Sequence, residues 1–324
     1  MKRLGILLIV LTIVVAAAAP WIAPHDPGAS WRDGPYAPPM RPHVIDDQGR
    51  WRAPFVYPVR LADRLERRFE EDRSRPIPLT WLSAGRLVSA SDESAGPWLL
   101  LGGDSFGRDI FARLLYGARL SLGVAALAAL GALALGVLIG GLAGYARGRI
   151  DEGLMRVAEF VLVLPTIYVV LALRAAMPLV LSTATIFLLM GGIFALVGWP
   201  YVARGVRAII ASERDRDYAV AARSLGASHA RILFLHLLPA TGGFLATQAT
   251  LLVPAFILAE ATLSFVGLGF TDPTPSWGAM LHEASNVSAI ADYPWTLSPA
   301  AAIFIVVLGV NLAVQGDGKA PVST

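Results

Sequence analysis

The stretch Asp217-Tyr-Ala-Val-Ala-Ala-Arg-Ser-Leu-Gly-Ala-Ser-His-Ala-Arg-Ile-Leu-Phe-Leu-His-Leu-Leu-Pro239 lies between two apolar runs of membrane-spanning length. Either Asp215 or Asp217 can cap a first helix of about two turns, whose first N–H groups need acceptors. Gly226 then predicts a stop, because glycine adopts the left-handed conformation that follows many helix ends. Ser228 can cap a second helix that leads to Pro239. The stretch therefore predicts a helix–turn–helix elbow at a membrane surface.

The overall composition indicates a membrane protein. Hydrophobic residues make up 55% of the 324 residues and the mean hydropathy is +0.59, which is too apolar for a water-soluble domain. A net charge of +3 is typical of basic residues that flank membrane spans, so no nucleic-acid partner is expected. The absence of cysteine excludes disulfides, thiolate metal sites and thiol catalysis.

The N-terminal segment, residues 1–24, carries Lys2 and Arg3 before an apolar run from Leu4 to Ala23. The apolar core of a signal peptide is about 7 to 15 residues long, whereas a span needs about 20. A retained transmembrane helix is therefore favoured, and small residues before Pro20 keep cleavage open as the alternative. With the two basic residues inside the cell, the following segment lies outside.

Residues 25–98 are charged and rich in proline, so they cannot lie in lipid and predict an extracytoplasmic insertion. Their arginines do not contradict this placement, because the positive-inside rule weakens for loops longer than about 60 residues. Leu61, Leu65 and Phe69 recur every four residues and predict an amphipathic helix over residues 61–72. A helix that covers the outer face is favoured over one that binds a partner.

Five further apolar runs approach or exceed spanning length, at roughly 114–145, 155–177, 183–202, 244–265 and 299–314. Together with the N-terminal run they predict six spans, which place both termini on one side of the membrane. The loops after the second and fourth of the six runs are rich in arginine and fall on that same side, the cytoplasm.

Small residues and prolines add detail to these spans. Gly136, Gly140 and Gly144 follow the spacing that allows two helices to approach closely. Packing within the chain is favoured over a dimer seam for this stripe. Pro165, Pro200 and Pro254 predict kinks in the third, fourth and fifth of the six runs.

Three blocks of sequence, in the same order, resemble the permeases of ATP-binding cassette (ABC) importers for dipeptides, oligopeptides and nickel. The elbow matches the coupling motif EAA-x3-G-x9-I-x-LP at Ala221, Ala222, Gly226, Leu238 and Pro239, with Val220 in place of Glu and His236 in place of Ile. Residues 101–122 are similar to LGTD-x2-GRD-x3-R-x2-YGAR-x-SL, and residues 257–281 to ILAEASLSFLGLG followed by PTPSWGAML. The chain is identified as a member of the C-type permeases of this family.

The resemblance implies an all-α polytopic membrane protein with the type I ABC importer permease fold. This fold has six transmembrane helices and a cytoplasmic coupling helix, and here it would carry an extracytoplasmic insertion. The implied division is an N-terminal helix 1–24, an insertion 25–98, a core domain 99–316 that contains five transmembrane helices and the coupling loop 213–239, and a short cytoplasmic tail 317–324. The implied location is a bacterial or archaeal cell membrane, with both termini in the cytoplasm.

The resemblance also implies the partners. The chain would form half of a pore with a homologous permease, as a heterodimer in the lipid membrane, together with two ATPase subunits and an external substrate-binding protein. The sequence contains no Gly-x4-Gly-Lys-[Ser/Thr] phosphate loop. The chain is therefore expected to be no enzyme and to hold no cofactor or metal, with ATP and Mg²⁺ bound by the partner subunits. Peptides or related small solutes are the implied cargo.

The ATPase-coupling surface is expected on the elbow, because a short helix with an alanine face can enter a groove on a partner. Its predicted residues are Asp217, Tyr218, Ala221, Ala222, Arg223, Leu225, Gly226 and Pro239. From spacing alone, a plain amphipathic surface loop explains the elbow equally well. The family resemblance favours coupling, with docking that depends on the alanine face and the Gly226 turn.

Two further polar features allow alternatives. Asp104 or Asp109 can cap the helix that begins at Ile110, and capping is favoured over metal binding. Glu260 lies in an apolar run, where a carboxylate faces the bundle interior or an aqueous cavity. A structural hydrogen bond to a neighbouring helix is favoured over a role in the pathway or in gating.

Two other classes of protein remain as alternatives. An ion-driven secondary transporter would use Glu260 to carry protons or sodium. An intramembrane hydrolase would need a nucleophile–base pair or metal ligands in the spans, and the few histidines show no such spacing.

Overall fold

The computed structural model describes residues 1–64, 67–83, 85–91, 96–176, 178, 181–285 and 287–315. The chain divides into two compact units. Among the described residues, unit 1 contains Met1–Ser121 and Ala261–Ala313, and unit 2 contains Leu122–Glu260 with Val314 and Gln315. The predicted tail, 317–324, lies outside the described residues.

Helices make up most of unit 2, whereas unit 1 combines helices with strands. Their bounds are α1 Lys2–Ala17, α2 Ala19–Ile22, α3 Ile110–Ala146, α4 Gly148–Val163, α5 Thr166–Ala175, α6 Thr183–Glu213, α7 Asp217–Ser224, α8 His229–Arg231, α9 Gly242–Phe265, α10 Trp277–Glu283, α11 Val287–Asp292 and α12 Ser298–Gln315. A π-helical stretch, Ile232–Leu237, and a 3₁₀ turn, Leu238–Thr241, join α8 to α9. A second 3₁₀ turn, Pro294–Leu297, precedes α12.

The inserted segment 25–98 contains β-strands, so the all-α prediction is wrong for this part of the chain. The strands are β1 His43–Ile45, β2 Trp51–Val56, β3 Val59–Asp63, β4 Arg68–Glu71, β5 Ile77–Ser83 and β6 Arg86–Ala90. Four of them form an antiparallel sheet in the order β1-β2-β5-β6. Alternate residues of β5, Ile77 and Leu79, are buried with Trp98 and Leu99 in an apolar core, which is the period-2 pattern of a half-buried strand.

The amphipathic helix predicted over residues 61–72 is also wrong. Leu61 lies in β3 and Phe69 in β4, and the two residues are direct partners in an antiparallel hairpin. A helix would place residues 61, 65 and 69 on one face, and the hairpin instead places Leu61 opposite Phe69 on neighbouring strands. Spacing of four residues therefore could not distinguish the two structures, and Leu65, the third residue of the pattern, lies outside the described residues.

Four helical segments in the described part of the chain are long and apolar enough to cross a membrane: Ile110–Ala146, Thr183–Glu213, His229–Phe265 and Pro294–Val314. The run predicted at 155–177 is instead the pair α4 and α5, whose axes differ by 89°. The break follows Val163 at Leu164 and Pro165, as the predicted kink requires. Counting this pair as one span gives five.

The N-terminal run does not form one continuous spanning helix. Helix α1 has 16 residues and ends at Ala17, and the four-residue helix α2 follows Ala18 with Pro20 in its first turn. Proline is tolerated there, because the first helical N–H groups lack acceptors within the helix. Helix α1 packs closely on α12: a Cβ built at Gly5 would lie 2.4 Å from the backbone nitrogen of Ala313 and 2.5 Å from the carbonyl oxygen of Gly309.

The glycine stripe of α3 packs within the chain, as predicted. A Cβ at Gly140 would lie 2.3 Å from the carbonyl oxygen of Ala203, and one at Gly144 would lie 2.6 Å from that of Arg207. Gly136 faces Val202 in the same way. These distances leave no room for a side chain, so the stripe sets the close approach of α3 and α6 in unit 2.

Candidate functional site

The first arm of the elbow is α7, an eight-residue helix in unit 2. Its N-cap is Arg216, and no side chain makes a capping hydrogen bond, so the prediction that Asp215 or Asp217 caps it is wrong. Asp217 lies in the first turn, where its negative charge interacts favourably with the positive end of the helix dipole. Asp215 instead accepts a hydrogen bond from Arg147, which explains why it is not available as a cap.

Gly226 ends this arm, as predicted. Its φ is +81°, and the amide of Ala227 donates to the carbonyl of Ala222 at 3.1 Å, the bond that closes a helix with a left-handed residue. A Cβ at Gly226 would contact nothing within 4 Å. Glycine is therefore required for its backbone conformation rather than for space.

One face of α7 is exposed and apolar. Tyr218, Ala221 and Leu225 are exposed at helical spacing, with Leu225 88% exposed. Ala219, on another side of α7, is fully buried, so this alanine anchors the helix against the rest of the chain. We call Tyr218, Ala221 and Leu225 the apolar stripe of the elbow.

The other predicted docking residues surround the stripe. Ala222 is half-buried, and Arg223 is exposed and donates to the carbonyl of Arg214 at 3.5 Å. The Tyr218 hydroxyl donates to Glu213 Oε2 at 2.7 Å. Val220, at the motif position that usually holds Glu, is 46% exposed on the side of α7 away from the stripe.

The second arm begins as predicted but does not end at Pro239. Ser228 caps it by accepting from the amide of Arg231 at 3.3 Å. The helix then widens into the π-helical stretch, whose Ile232 and Leu237 are fully buried, and continues through the 3₁₀ turn into α9. Because proline lacks an N–H and clashes with the preceding turn, this change of helical register allows the chain to pass Pro239 without a break.

Polar contacts join the elbow to the end of α3 within unit 2. The Tyr145 hydroxyl lies 2.6 Å from His229 Nδ1, and Arg214 donates to the Tyr145 carbonyl. Arg147 donates to the Ala211 carbonyl at 3.0 Å and forms an ion pair with Asp215. These partners lie 64 to 84 residues apart along the chain, so no local sequence pattern predicts them. The elbow is therefore attached to α3 as well as to α6 and α9.

Glu260 is fully buried in α9. This burial agrees with the expectation that the carboxylate faces away from lipid. Its structural or gating role stays a prediction.

Unit 1 contains an ion-pair cluster that the sequence did not predict. Arg108 contacts Asp104 at 2.7 Å and Glu283 at 3.0 Å, and Arg113 contacts the same two carboxylates at 3.3 and 2.9 Å. Asp272 also pairs with Arg108. The side chains of Arg108 and Arg113 are only 5% and 0% exposed. The cluster thus joins the motif block 101–122 to Asp272 of the block 257–281 and to Glu283, the last residue of α10.

Burial raises the pKa of Glu283 to about 6, and the positive charges of Arg113 and Arg108 act in the opposite direction. Nearby, Asp109 accepts from the amides of Phe111 and Ala112 at 2.9 and 3.3 Å and so caps α3, as predicted. No group of His, Asp or Glu side chains suited to a metal ion occurs among the residues that the structure describes.

Comparison with known proteins gives a consistent family. Residues 136–316 match the family described as "Binding-protein-dependent transport system inner membrane component". The oligopeptide transport system permease protein OppC of Bacillus subtilis is 38% identical over 218 residues, which cover 67% of this chain and 68% of the relative. The dipeptide transport system permease protein DppC of Alkalihalophilus pseudofirmus is 38% identical over 246 residues, covering 74% and 77%.

A third relative extends the similarity to nearly the whole chain. The di/tripeptide transport system permease protein DppC of Pseudomonas aeruginosa is 32% identical over 315 residues, which cover 97% of this chain and 84% of the relative. The match includes the elbow, the glycine stripe and both motif blocks that meet in the ion-pair cluster. This chain therefore belongs to the family of binding-protein-dependent transport system inner membrane components, as a permease subunit of an importer.

Proposed function

We propose that the chain forms half of the translocation pore of an ATP-driven importer of peptides, and that the elbow couples it to an ATPase subunit. The exposed apolar stripe of α7 carries this proposal. Leu225 is 88% exposed, on a helix that the buried Ala219 holds in place. Contact of this apolar side chain with water is unfavourable, and its exposed surface does not stabilise the chain itself. Burial in a groove of a partner would recover that free energy.

The way the elbow is held supports a mechanical role. Its first arm follows α6, and its second arm continues without interruption into α9. A force applied to the apolar stripe would therefore reach two spanning helices, and α3 through its contacts with Tyr145 and Arg147. Coupling between sites needs such a connected element whose position both partners bias.

For the membrane arrangement we propose six spans with both termini in the cytoplasm of a bacterial or archaeal cell. The close packing of Gly5 on α12 supports α1 and α2 as a span, because α12 belongs to an apolar segment of spanning length. The bent pair of α4 and α5 supplies another. This topology places the elbow inside the cell and the segment 25–98 outside it.

The proposed assembly has this chain beside a homologous permease, with two ATPase subunits inside and a substrate-binding protein outside. ATP and Mg²⁺ would bind to the ATPase subunits, since this chain lacks the phosphate-loop sequence. Peptide cargo is supported by the names of the relatives, which are permease proteins of oligopeptide, dipeptide and di/tripeptide transport systems.

A cross-linking experiment tests the coupling proposal. Because the chain contains no cysteine, Leu225→Cys introduces a unique thiol at the apolar stripe. We expect it to cross-link to an ATPase subunit in membranes that contain the complete importer. Val220→Cys, exposed on the other side of the same helix, is the matched control and should cross-link much less. Equal cross-linking of the two variants would contradict the proposal. So would the absence of cross-linking at Leu225→Cys in an importer that still transports.

A further inference from the structure

A cavity of about 620 Å³ lies between α4 and α6 in unit 2, apart from the elbow. Six of its lining side chains are charged, and the charges sum to zero: Asp151, Glu152, Glu159, Arg156, Arg204 and Arg207. Its volume falls in the range of about 300 to 1,000 Å³ that is usual for small-molecule sites. The cavity is therefore large enough for a ligand of a few residues.

Two of these charges form the wall of the cavity. Arg207 donates from Nε to Asp151 Oδ1 at 2.7 Å and from Nη2 to Asp151 Oδ2 at 2.5 Å. This bidentate pair, together with the packing of Ala158 against Trp199 and Ala203, fixes α4 on α6. The position of the cavity is thus set by contacts that a ligand would not have to make.

The other four charged side chains are exposed and available. Within the described part of the chain, Glu152, Arg156, Glu159 and Arg204 form no ion pair. In the proposed topology they lie near the cytoplasmic ends of α4 and α6, where charged side chains face water or a polar ligand. Unlike Asp151 and Arg207, they do not hold α4 on α6 by an ion pair.

The arrangement of these charges selects the chemistry of the ligand. On α4, Glu152, Arg156 and Glu159 alternate in sign along one face, and about 10 Å of helix rise separates the first from the last. Arg204 lines the cavity from α6. A simple anion would favour a net positive site, whereas this neutral set fits a molecule with one cationic and one anionic end. A peptide of two or three residues spans about 7 to 10 Å when extended.

We propose that this cavity is a cargo site that holds a short peptide by its two charged ends during transport. Its carboxylate would lie at Arg156 and Arg204, and its ammonium group at Glu152 or at Glu159, according to the direction in which the peptide lies along α4. The inference rests on the proposed function and adds a place on this chain where cargo binds. In the proposed topology α4 begins and α6 ends on the cytoplasmic side, so the site serves the exit half of the pathway.

The test uses the complete importer in vesicles, with Met155→Cys as a unique thiol in the cavity wall. We expect trialanine to slow modification by a soluble thiol reagent about tenfold during ATP turnover, and N-acetyl-trialanine amide to give no protection. The matched control is Ile150→Cys, on the same helix and 54% exposed, which does not line the cavity and should react equally with or without peptide. Protection independent of peptide would show that a partner segment or lipid fills the cavity and would overturn the proposal.

Charge variants separate this proposal from coupling. Arg156→Gln with Arg204→Gln should lower trialanine uptake about tenfold, while ATP hydrolysis stimulated by the binding protein stays within about twofold of the wild type. Arg149→Gln, an exposed charge of α4 outside the cavity, should leave both unchanged. Normal uptake in the double variant would refute the cargo site alone. Absence of ATP-driven uptake in the unaltered importer would refute the proposed function instead.

Discussion

The ion-pair cluster of unit 1 and the elbow of unit 2 both adjoin spanning helices, yet they distribute polarity in opposite ways. In the cluster, two guanidinium groups that are 5% and 0% exposed contact three carboxylates. In the elbow, charged side chains are at the surface and the most exposed large apolar residue is Leu225, at 88%. The cluster pairs its buried charges with one another, whereas the elbow leaves an apolar face uncovered.

This difference separates residues that serve the fold from residues that serve a partner. A buried charge that loses its counter-ion destabilises the folded chain, because the remaining charge cannot be hydrated. An exposed apolar side chain contributes little to the stability of the chain that carries it. Substitutions in the cluster should therefore change stability, and substitutions in the elbow should change coupling without changing stability.

The largest effect is expected for Arg113→Met in the cluster. The change leaves Glu283 and Asp104 buried with one guanidinium group fewer, at a cost of about 3 to 5 kcal/mol in the free energy of unfolding. Thermal unfolding of the purified permease would measure it. Arg68→Met is the control, because Arg68 and its partner Glu70 are 67% and 58% exposed and their pair is worth about 1 kcal/mol or less. Equal losses in the two variants would contradict the assignment of the cluster to stability.

The next effect concerns the pH dependence of stability. The pKa of Glu283 is about 6 in the folded chain, against an ordinary value of 4.5. Between these values the folded chain binds a proton that the unfolded chain has lost, so stability should rise as pH falls from 6 to 4.5, by about 2 kcal/mol. Glu283→Gln should remove this dependence, measured as thermal midpoints across the pH range.

The exposed Glu70→Gln is the matched control and should keep the wild-type pH profile. If Glu283→Gln also kept it, Arg108 and Arg113 would compensate fully for the burial of the carboxylate. The cluster would then be held at no net electrostatic cost.

The sequence predicted the long helices better than it predicted the strands and the helix breaks. Apolar length alone located α3, α6 and α9, and the glycine spacing of α3 located its packing face. The hairpin of β3 and β4 was missed, because apolar residues four apart are typical of one helix face, whereas Leu61 and Phe69 pair across two strands. Apolar length also overstated the continuity of the N-terminal run, which Ala18 divides into two helices.

The elbow and the cluster differ in how far the sequence could reveal them. The elbow is local, so its glycine stop and its Ser228 cap could be read from neighbouring residues. Its caps at Asp215 and Asp217 were wrong, because Asp215 pairs with Arg147, which is 68 residues away. The cluster depends entirely on such distant contacts: Arg113 and Glu283 are 170 residues apart, and only the fold brings them together.

Within the elbow, the largest effect is expected for Leu225→Asp. Replacing the exposed leucine should leave the thermal midpoint unchanged, since Leu225 has little contact with its own chain. A charge at a buried interface should weaken docking, lowering ATP hydrolysis stimulated by the binding protein about tenfold, equivalent to 1.4 kcal/mol. Val220→Asp, on the other side of α7, should reduce that activity much less. A lower thermal midpoint in Leu225→Asp would place this residue with the cluster, as part of the fold.

The smallest effect is expected where the elbow depends on a single backbone angle. Gly226 has a φ of +81°, and an L-residue pays about 1 to 2 kcal/mol in that conformation. Gly226→Ala should therefore open the hydrogen bond from Ala227 to Ala222, speed amide exchange at Ala227 and lower stimulated ATP hydrolysis about fivefold. Gly226→Asn should lose less, because asparagine tolerates the left-handed region, and no neighbouring atom obstructs either side chain at Cβ. Equal losses in the two variants would mean that a partner contacts this position directly, so that the elbow depends on side-chain volume rather than on its turn.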